Sequence, residues 1–126
     1  MAVSMIGAVA HVNLNYDLMK AAGITWLRHS FGWPWEKDGV TLLPSYLHMK
    51  AYAQELTDHG FKLFGTVASI GGSSYDAAQG ITIWHNGTPP EAGTWDQDVF
   101  YENVAKMTEF VVRDCKDLVT YWQLTN

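Results

Sequence analysis

The sequence predicts an α/β fold with a parallel sheet, and three observations lead there. Short apolar runs rich in strand formers alternate with segments of helical periodicity along the whole 126 residues. Gly23 and Gly60 stand between a helical segment and the strand that follows, leaving only a tight turn. The segments after the strands are long and carry polar and aromatic residues, which places elaboration at the carboxyl ends of the strands.

Ser4-Met5-Ile6-Gly7-Ala8-Val9-Ala10-His11 is an apolar run bounded by polar residues, the pattern of a buried parallel strand over 4–11 with its polar end at His11 and Asn13. Asn15 then caps a short helix, 16–22, with Leu18, Met19 and Ala22 on one face and Gly23 at its end. The second strand, 24–29, reads Ile24-Thr25-Trp26-Leu27-Arg28-His29 and closes on two cationic or titratable side chains. A connection with Trp33-Pro34-Trp35-Glu36 and Asp38-Gly39 leads to the strongest helix, 44–59. There Tyr46, Met49, Ala53 and Leu56 recur at spacings of three, four and three, Pro44 sits in the first turn and Gly60 lies beyond the end. The third strand, 61–68, follows at once.

From 69 to 93 the composition shifts to Gly, Ser, Asn and Pro, with Ile81, Ile83 and Trp84 as the sizeable apolar cluster. A connection this long is uncommon unless it is functional or disordered, and Trp84-His85 inside it predicts a loop packed over something. Thr94 and Gln97 then resemble a capping box, and Phe100, Val104, Met107 and Val111 continue at helical spacing through 96–115. The fourth strand, 118–125, is Leu118-Val119-Thr120-Tyr121-Trp122-Gln123-Leu124-Thr125. It ends beside Asn126, which makes that residue a candidate for the site at the strand ends.

A chain of this length buries about two thirds of its unfolded surface, enough for one core and one domain over 1–126. Net charge of −5 with two arginines offers no basic stripe for a phosphate backbone, so nucleic-acid binding is not expected. The single cysteine, Cys115, excludes an internal disulfide and reads as an incidental thiol in the last predicted helix. No uninterrupted apolar run approaches the roughly 20 residues that cross a bilayer. The start of the chain lacks a basic n-region, so a soluble protein without a signal peptide is expected and no compartment is assigned. Asn86-Gly87-Thr88 is a formal glycosylation triplet of a kind common by chance.

Collected at the strand ends are His11 and Asn13; Arg28, His29, Trp33, Trp35 and Glu36; residues 69–85; and Asn126. Amide, imidazole and guanidinium donors beside flat aromatic faces suit a neutral, hydroxyl-rich ligand, because indoles stack on sugar rings while the donors bond hydroxyls. The five histidines have no metal-ligand spacing, so neither a metal nor a cofactor is expected. Gly71-Gly72-Ser73-Ser74 is too weak a pattern to name a phosphate site or a nucleophile elbow.

Ala22-Gly23-Ile24-Thr25-Trp26-Leu27-Arg28, Trp33-Pro34-Trp35-Glu36 with Gly39, His59-Gly60-Phe61-Lys62-Leu63-Phe64-Gly65 and Tyr121-Trp122-Gln123-Leu124-Thr125-Asn126, taken in that order and spacing, resemble the first half of a clan A retaining glycoside hydrolase. The resemblance implies half of a (β/α)8 TIM barrel with four parallel strands and three intervening helices. It implies that Arg28 steadies the catalytic carboxylates and that Asn126 bonds the sugar 2-hydroxyl, with the acid/base Glu expected directly after Asn126 and the nucleophile on a seventh strand. Trp84, His85, Trp35 and His11 join the implied sugar-binding set. Retaining hydrolysis needs two carboxyl groups about 5 to 5.5 Å apart, and neither matched carboxylate falls within the chain.

Of the other loop carboxylates, Glu36 matches a structural position, Asp96 reads as helix-start charge, and Asp76 and Glu91 match nothing catalytic. Arg28 is equally readable as a structural cation. Trp26 and Trp122 read as packing residues, while Trp35 and Trp84 fit packing and stacking alike. The expectation is therefore the amino-terminal half of a glycosidase acting on β-linked sugars, inactive on its own. The alternatives are a self-associating half-barrel, dimeric or larger, whose sheet edges and uncovered apolar surface seek a partner, and a carbohydrate-binding module using the loop tryptophans.

Overall fold

In the computed structural model the described residues are 7–9, 15–36, 38–67, 74–76, 81–84 and 95–124. Three six-residue strands, β2 (Trp26–Phe31), β3 (Lys62–Val67) and β6 (Val119–Leu124), lie parallel in that order. The short segment β1 (Gly7–Val9) pairs in parallel with the start of β2. Three helices connect them: α1 (Tyr16–Ala21), α2 (Pro44–Asp58) and α3 (Trp95–Asp114).

Local chemistry explains the helix bounds. The Asn15 side chain accepts from the Leu18 amide at 3.0 Å and starts α1. Pro44 stands in the first turn of α2, where its missing N–H costs nothing. Gly23 (φ 83°) and Gly60 (φ 88°) take the left-handed conformation that ends α1 and α2 and turns the chain straight into β2 and β3.

Strand alternation divides the sheet into two unlike faces. Leu27 and Phe31 of β2, Leu63 and Val67 of β3 and Val119 of β6 share one core with Tyr46, Ala53 and Leu56 of α2 and Met107, Val111 and Cys115 at the end of α3. Met49 and Val104 pack against it partly buried, so the helical periodicities expected for α2 and α3 hold where their side chains are described. Helix α1 joins the same side through Tyr16, whose hydroxyl donates to Glu55 Oε1 at 2.6 Å and whose ring lies 4.1 Å from that of His59. All three helices therefore cover one face, and sequential strands are spatial neighbours.

The pairing of β3 with β6 contains a bulge: Leu63 faces Val119, but Phe64 faces Tyr121, leaving Thr120 over. Residues three apart in a regular strand point to opposite faces. The extra residue re-phases β6, so that Val119 and Trp122 both lie over Gly65. The Trp122 indole also sits 5.5 Å from Phe31, in keeping with its reading as a packing residue.

Three details differ from the sequence reading. Strand β2 is shifted two residues from its expected 24–29: it begins at Trp26 and runs on to Phe31, because Ser30 and Phe31 pair with Thr66 and Val67. The 69–93 connection contains an antiparallel pair, β4 (Ser74–Asp76) with β5 (Ile81–Trp84). Helix α3 stops at Asp114, so Cys115 lies just past it in the turn, fully buried.

Candidate functional site

The face of the sheet opposite the helices carries Trp26, Arg28 and Ser30 from β2, Lys62, Phe64 and Thr66 from β3, and Tyr121 and Gln123 from β6, by register and alternation. At its amino end the Trp26 and Tyr121 rings lie 5.5 Å apart at 47°, and Lys62 Nζ stands 5.5 Å from the Trp26 ring. Tyr121 is 55% exposed. Toward the carboxyl end, Arg28 Nε donates to Thr66 Oγ1 at 3.0 Å, a diagonal bond from β2 to β3. Thr66, only 3% exposed, faces Ser30 on one side and Gln123 on the other.

Chemically this face offers hydrogen-bond donors and acceptors beside aromatic rings, with two cations and no carboxylate among its eight positions. These groups are of the chemical kind that suits a neutral, hydroxyl-bearing molecule. These eight described positions do not include the paired carboxyl groups that general acid/base or nucleophilic hydrolysis of a glycoside requires.

Of the residues expected to bind ligand, Arg28 is on this face, although in mid-strand rather than at the strand end. Trp35 is elsewhere: it bridges to Leu42, meets Trp33 edge-on at 5.2 Å and packs 5.1 Å from Phe110 of α3, partly buried against the core. Trp84 is the last residue of β5. His11, His85 and Asn126 lie outside the described residues. Trp26, expected to be packing material, is half-buried and packs against Tyr121 and Lys62 on the face away from the helices. Thr66 was not anticipated, although its place two residues beyond Phe64 in a parallel strand puts it in phase with Arg28. Asp96 is the second residue of α3, as its reading as helix-start charge requires.

His29 belongs to the opposite face. It is 7% exposed, its Nε2–H donates to the Met49 carbonyl at 2.9 Å, and its ring meets Phe31 and Tyr52 edge-on. Burial lowers its pKa below the ordinary 6.5, with the Met49 carbonyl opposing. A second polar group ties α2 to the end of α3. Tyr46 donates its hydroxyl to Asp114 Oδ2 at 2.8 Å, Lys50 Nζ pairs with Asp114 Oδ1 at 2.8 Å, and Cys115 Sγ lies 3.6 Å from the Tyr46 oxygen. The phenol's one proton goes to Asp114, so the thiol donates to the phenol oxygen. Burial raises the pKa of both Tyr46 and Cys115. These groups serve the fold.

Among the described residues no cluster of three His, Cys, Asp or Glu is arranged to hold a metal, and no helix is long and apolar enough to cross a membrane. No protein-family model matches the chain, and no curated protein and no solved structure is significantly similar to it.

Proposed function

We propose that the chain is the amino-terminal half of a (β/α)8 retaining glycoside hydrolase acting on β-linked sugars, and that by itself it binds sugar without cleaving it. The observation that carries this reading is the one-sided architecture. Sequential strands are spatial neighbours, every described helix packs on one face, and the other face holds Arg28, Thr66, Gln123, Trp26 and Tyr121. A doubly wound sheet reverses its strand order and covers both faces with helices. A barrel winds in one direction and keeps its second face for the interior.

The test pairs two measurements. Titration with β-linked oligosaccharides is expected to change tryptophan emission, because Trp26 stands on the open face. Assay on aryl β-glycosides is expected to show no turnover, because none of the eight described positions of that face is a carboxylate. Turnover that persists after host enzymes are removed and disappears on Arg28→Ala would overturn the non-catalytic part; absence of any sugar response would overturn the binding part. A binding response with no hydrolysis in any extended form of the protein would favour a carbohydrate-binding module instead.

Self-association is the second reading, favoured by β6. Among the described residues this strand is paired only with β3, and its Tyr121 and Leu124 are each 55% exposed. Light scattering is expected to show mass rising with concentration; a monomer throughout the micromolar range counts against it.

A further inference from the structure

We propose that α1 is a strap that opens on its own: it leaves the sheet and unwinds while α2, α3, β2, β3 and β6 stay folded, and the hydrogen bond from Tyr16 to Glu55 is the fastening that holds it shut. The inference goes beyond the sugar and self-association readings and needs neither.

It is carried by how little of α1 lies inside. None of its six residues is fully buried, whereas α2 sets Tyr46, Ala53 and Leu56 wholly into the core. Leu18 is 67% exposed. Three side chains attach the helix to the rest. Met19 packs partly buried against the core, and Lys20 Nζ stands 5.5 Å from the centre of the Phe61 ring, a contact that is weak at an exposed position. Tyr16 holds more firmly. Its ring lies 4.1 Å from that of His59 and 6.0 Å from that of Phe61, and its hydroxyl donates to Glu55 Oε1 at 2.6 Å. A hydrogen bond accepted by a carboxylate is stronger than one between neutral groups. This one joins the first residue of α1 to a helix that the core already anchors.

The strap has a defined fixed end. Gly23 (φ 83°) turns the chain, the Gly23 and Ile24 amides donate to the Lys20 and Met19 carbonyls at 2.9 and 3.0 Å, and the next carbonyl, of Thr25, accepts from the Lys62 amide at 2.9 Å. Opening therefore ends at Thr25, where the chain is tied to β3. A six-residue helix does not keep its own bonds in water, so α1 unwinds when it leaves. Phe61, 3% exposed with the strap closed, then loses the cover of Tyr16 and Lys20. The device is a local opening at the amino end of β3, drawn from the low end of the stability range within one domain.

Amide hydrogen exchange followed by NMR, at a series of urea concentrations below the unfolding transition, tests it. The Met19, Ala22 and Ile24 amides donate to the Asn15, Leu18 and Met19 carbonyls and report on the strap; Leu63 and Val67 report on the central strand. The strap amides are expected to exchange at least about a hundredfold faster than the strand amides, with little dependence on urea. Tyr16→Phe keeps the ring and removes the bond. It should accelerate the strap amides about fivefold and leave Leu63 and Val67 unchanged. Adding Glu55→Gln to Tyr16→Phe should change the strap amides by less than about twofold, because the bond is already gone.

Strap amides that exchange in step with Leu63 and Val67, with the same urea dependence, would overturn the proposal, since α1 would then open only when the whole chain unfolds. Should Tyr16→Phe fail to fold, the urea series on the unsubstituted chain still decides that point. Strap exchange unaltered by Tyr16→Phe, or acceleration spread equally over β3, would overturn the fastening at Tyr16.

Discussion

Replacing Gly65 with alanine places a methyl carbon 2.7 Å from Trp122 Cε3, 2.7 Å from Val119 Cγ1 and 2.8 Å from Trp122 Cζ3. Favourable carbon contacts lie at about 3.5 to 4.0 Å, so all three are short by close to an ångström. No single rotamer change relieves them, because they come from two side chains on one strand. Val119 is buried and β-branched, and the Trp122 indole is held against Phe31 at 5.5 Å. Relief requires β6 to shift away from β3 or the indole to leave its site. Gly65 does not occupy the left-handed region, so alanine brings no backbone strain, and its lower unfolded-state entropy recovers about 0.5 kcal/mol. Overpacking costs roughly 1 to 3 kcal/mol; with three contacts in a paired strand the upper half of that range applies, about 2 kcal/mol net. Urea denaturation followed by tryptophan emission reads this as a midpoint lowered by about 1 M for a slope near 2 kcal/mol/M. Trp122→Leu in the same chain removes two of the three contacts, so the double variant should be less destabilised than the sum of the single ones by 1 kcal/mol or more. A Gly65→Ala midpoint within about 0.3 M of the unsubstituted chain, or strict additivity with Trp122→Leu, would refute the contact geometry and with it the bulge at Thr120.

His29 predicts a pH dependence of folding. Its folded pKa lies below 6.5 because burial penalises the imidazolium, so above that pH both states are neutral and its contribution is complete. As pH falls from 6.5 through the lowered folded value, the unfolded chain takes up a proton that the folded chain does not, and stability declines by at most about 1.4 kcal/mol per pH unit. His29→Gln should flatten the fall between pH 6.5 and 5, the other four histidines being common to both chains; equal slopes sink the assignment. Cys115, buried and with its thiol pKa raised, should react with a thiol reagent at pH 8 at least about a hundredfold more slowly in the native protein than in urea. Rapid stoichiometric labelling of the native chain contradicts its placement. Tyr46→Phe, which removes the bonds to Asp114 and Cys115 but keeps the ring, should cost about 1 kcal/mol, measured by the same urea titration, and should speed that labelling; stability and labelling both unchanged would mean the hydroxyl is not engaged there.

The order of strands and helices is legible in the sequence because its signals are local. Gly23 and Gly60 must adopt positive φ to turn a helix directly into a strand, Asn15 must cap, and Tyr46, Ala53 and Leu56 recur with the helical period. What is not legible depends on residues far apart. Ser30 and Phe31 belong to β2 only because Thr66 and Val67 are there to pair with them. Trp35 looks as fit for stacking on a sugar as for packing until Phe110, distant in sequence, arrives 5.1 Å from it. The hairpin of β4 and β5 hides in a Gly- and Ser-rich stretch; the alternation of Ile81 and Ile83 with Thr82 is its one local trace, and a strand so short needs its partner to exist.

Arg28 and His29 show why the candidate site was only partly visible. Both are polar residues near the end of one strand, and by composition both belong with a ligand. Alternation sends them to opposite faces: Arg28 to the side with Thr66, Trp26 and Tyr121, His29 to the side sealed by α2. Whether a neighbour of Arg28 belongs to the site or to the core is thus a matter of phase, and in β6 the phase is reset by a single unpaired residue, Thr120. That reset brings Trp122 onto Gly65 and leaves Tyr121 opposite Phe64, so one bulge both closes the core and completes the aromatic end of the open face. The packed core and the candidate site are in this way divided between the two sides of the same three strands, joined where β6 crosses Gly65.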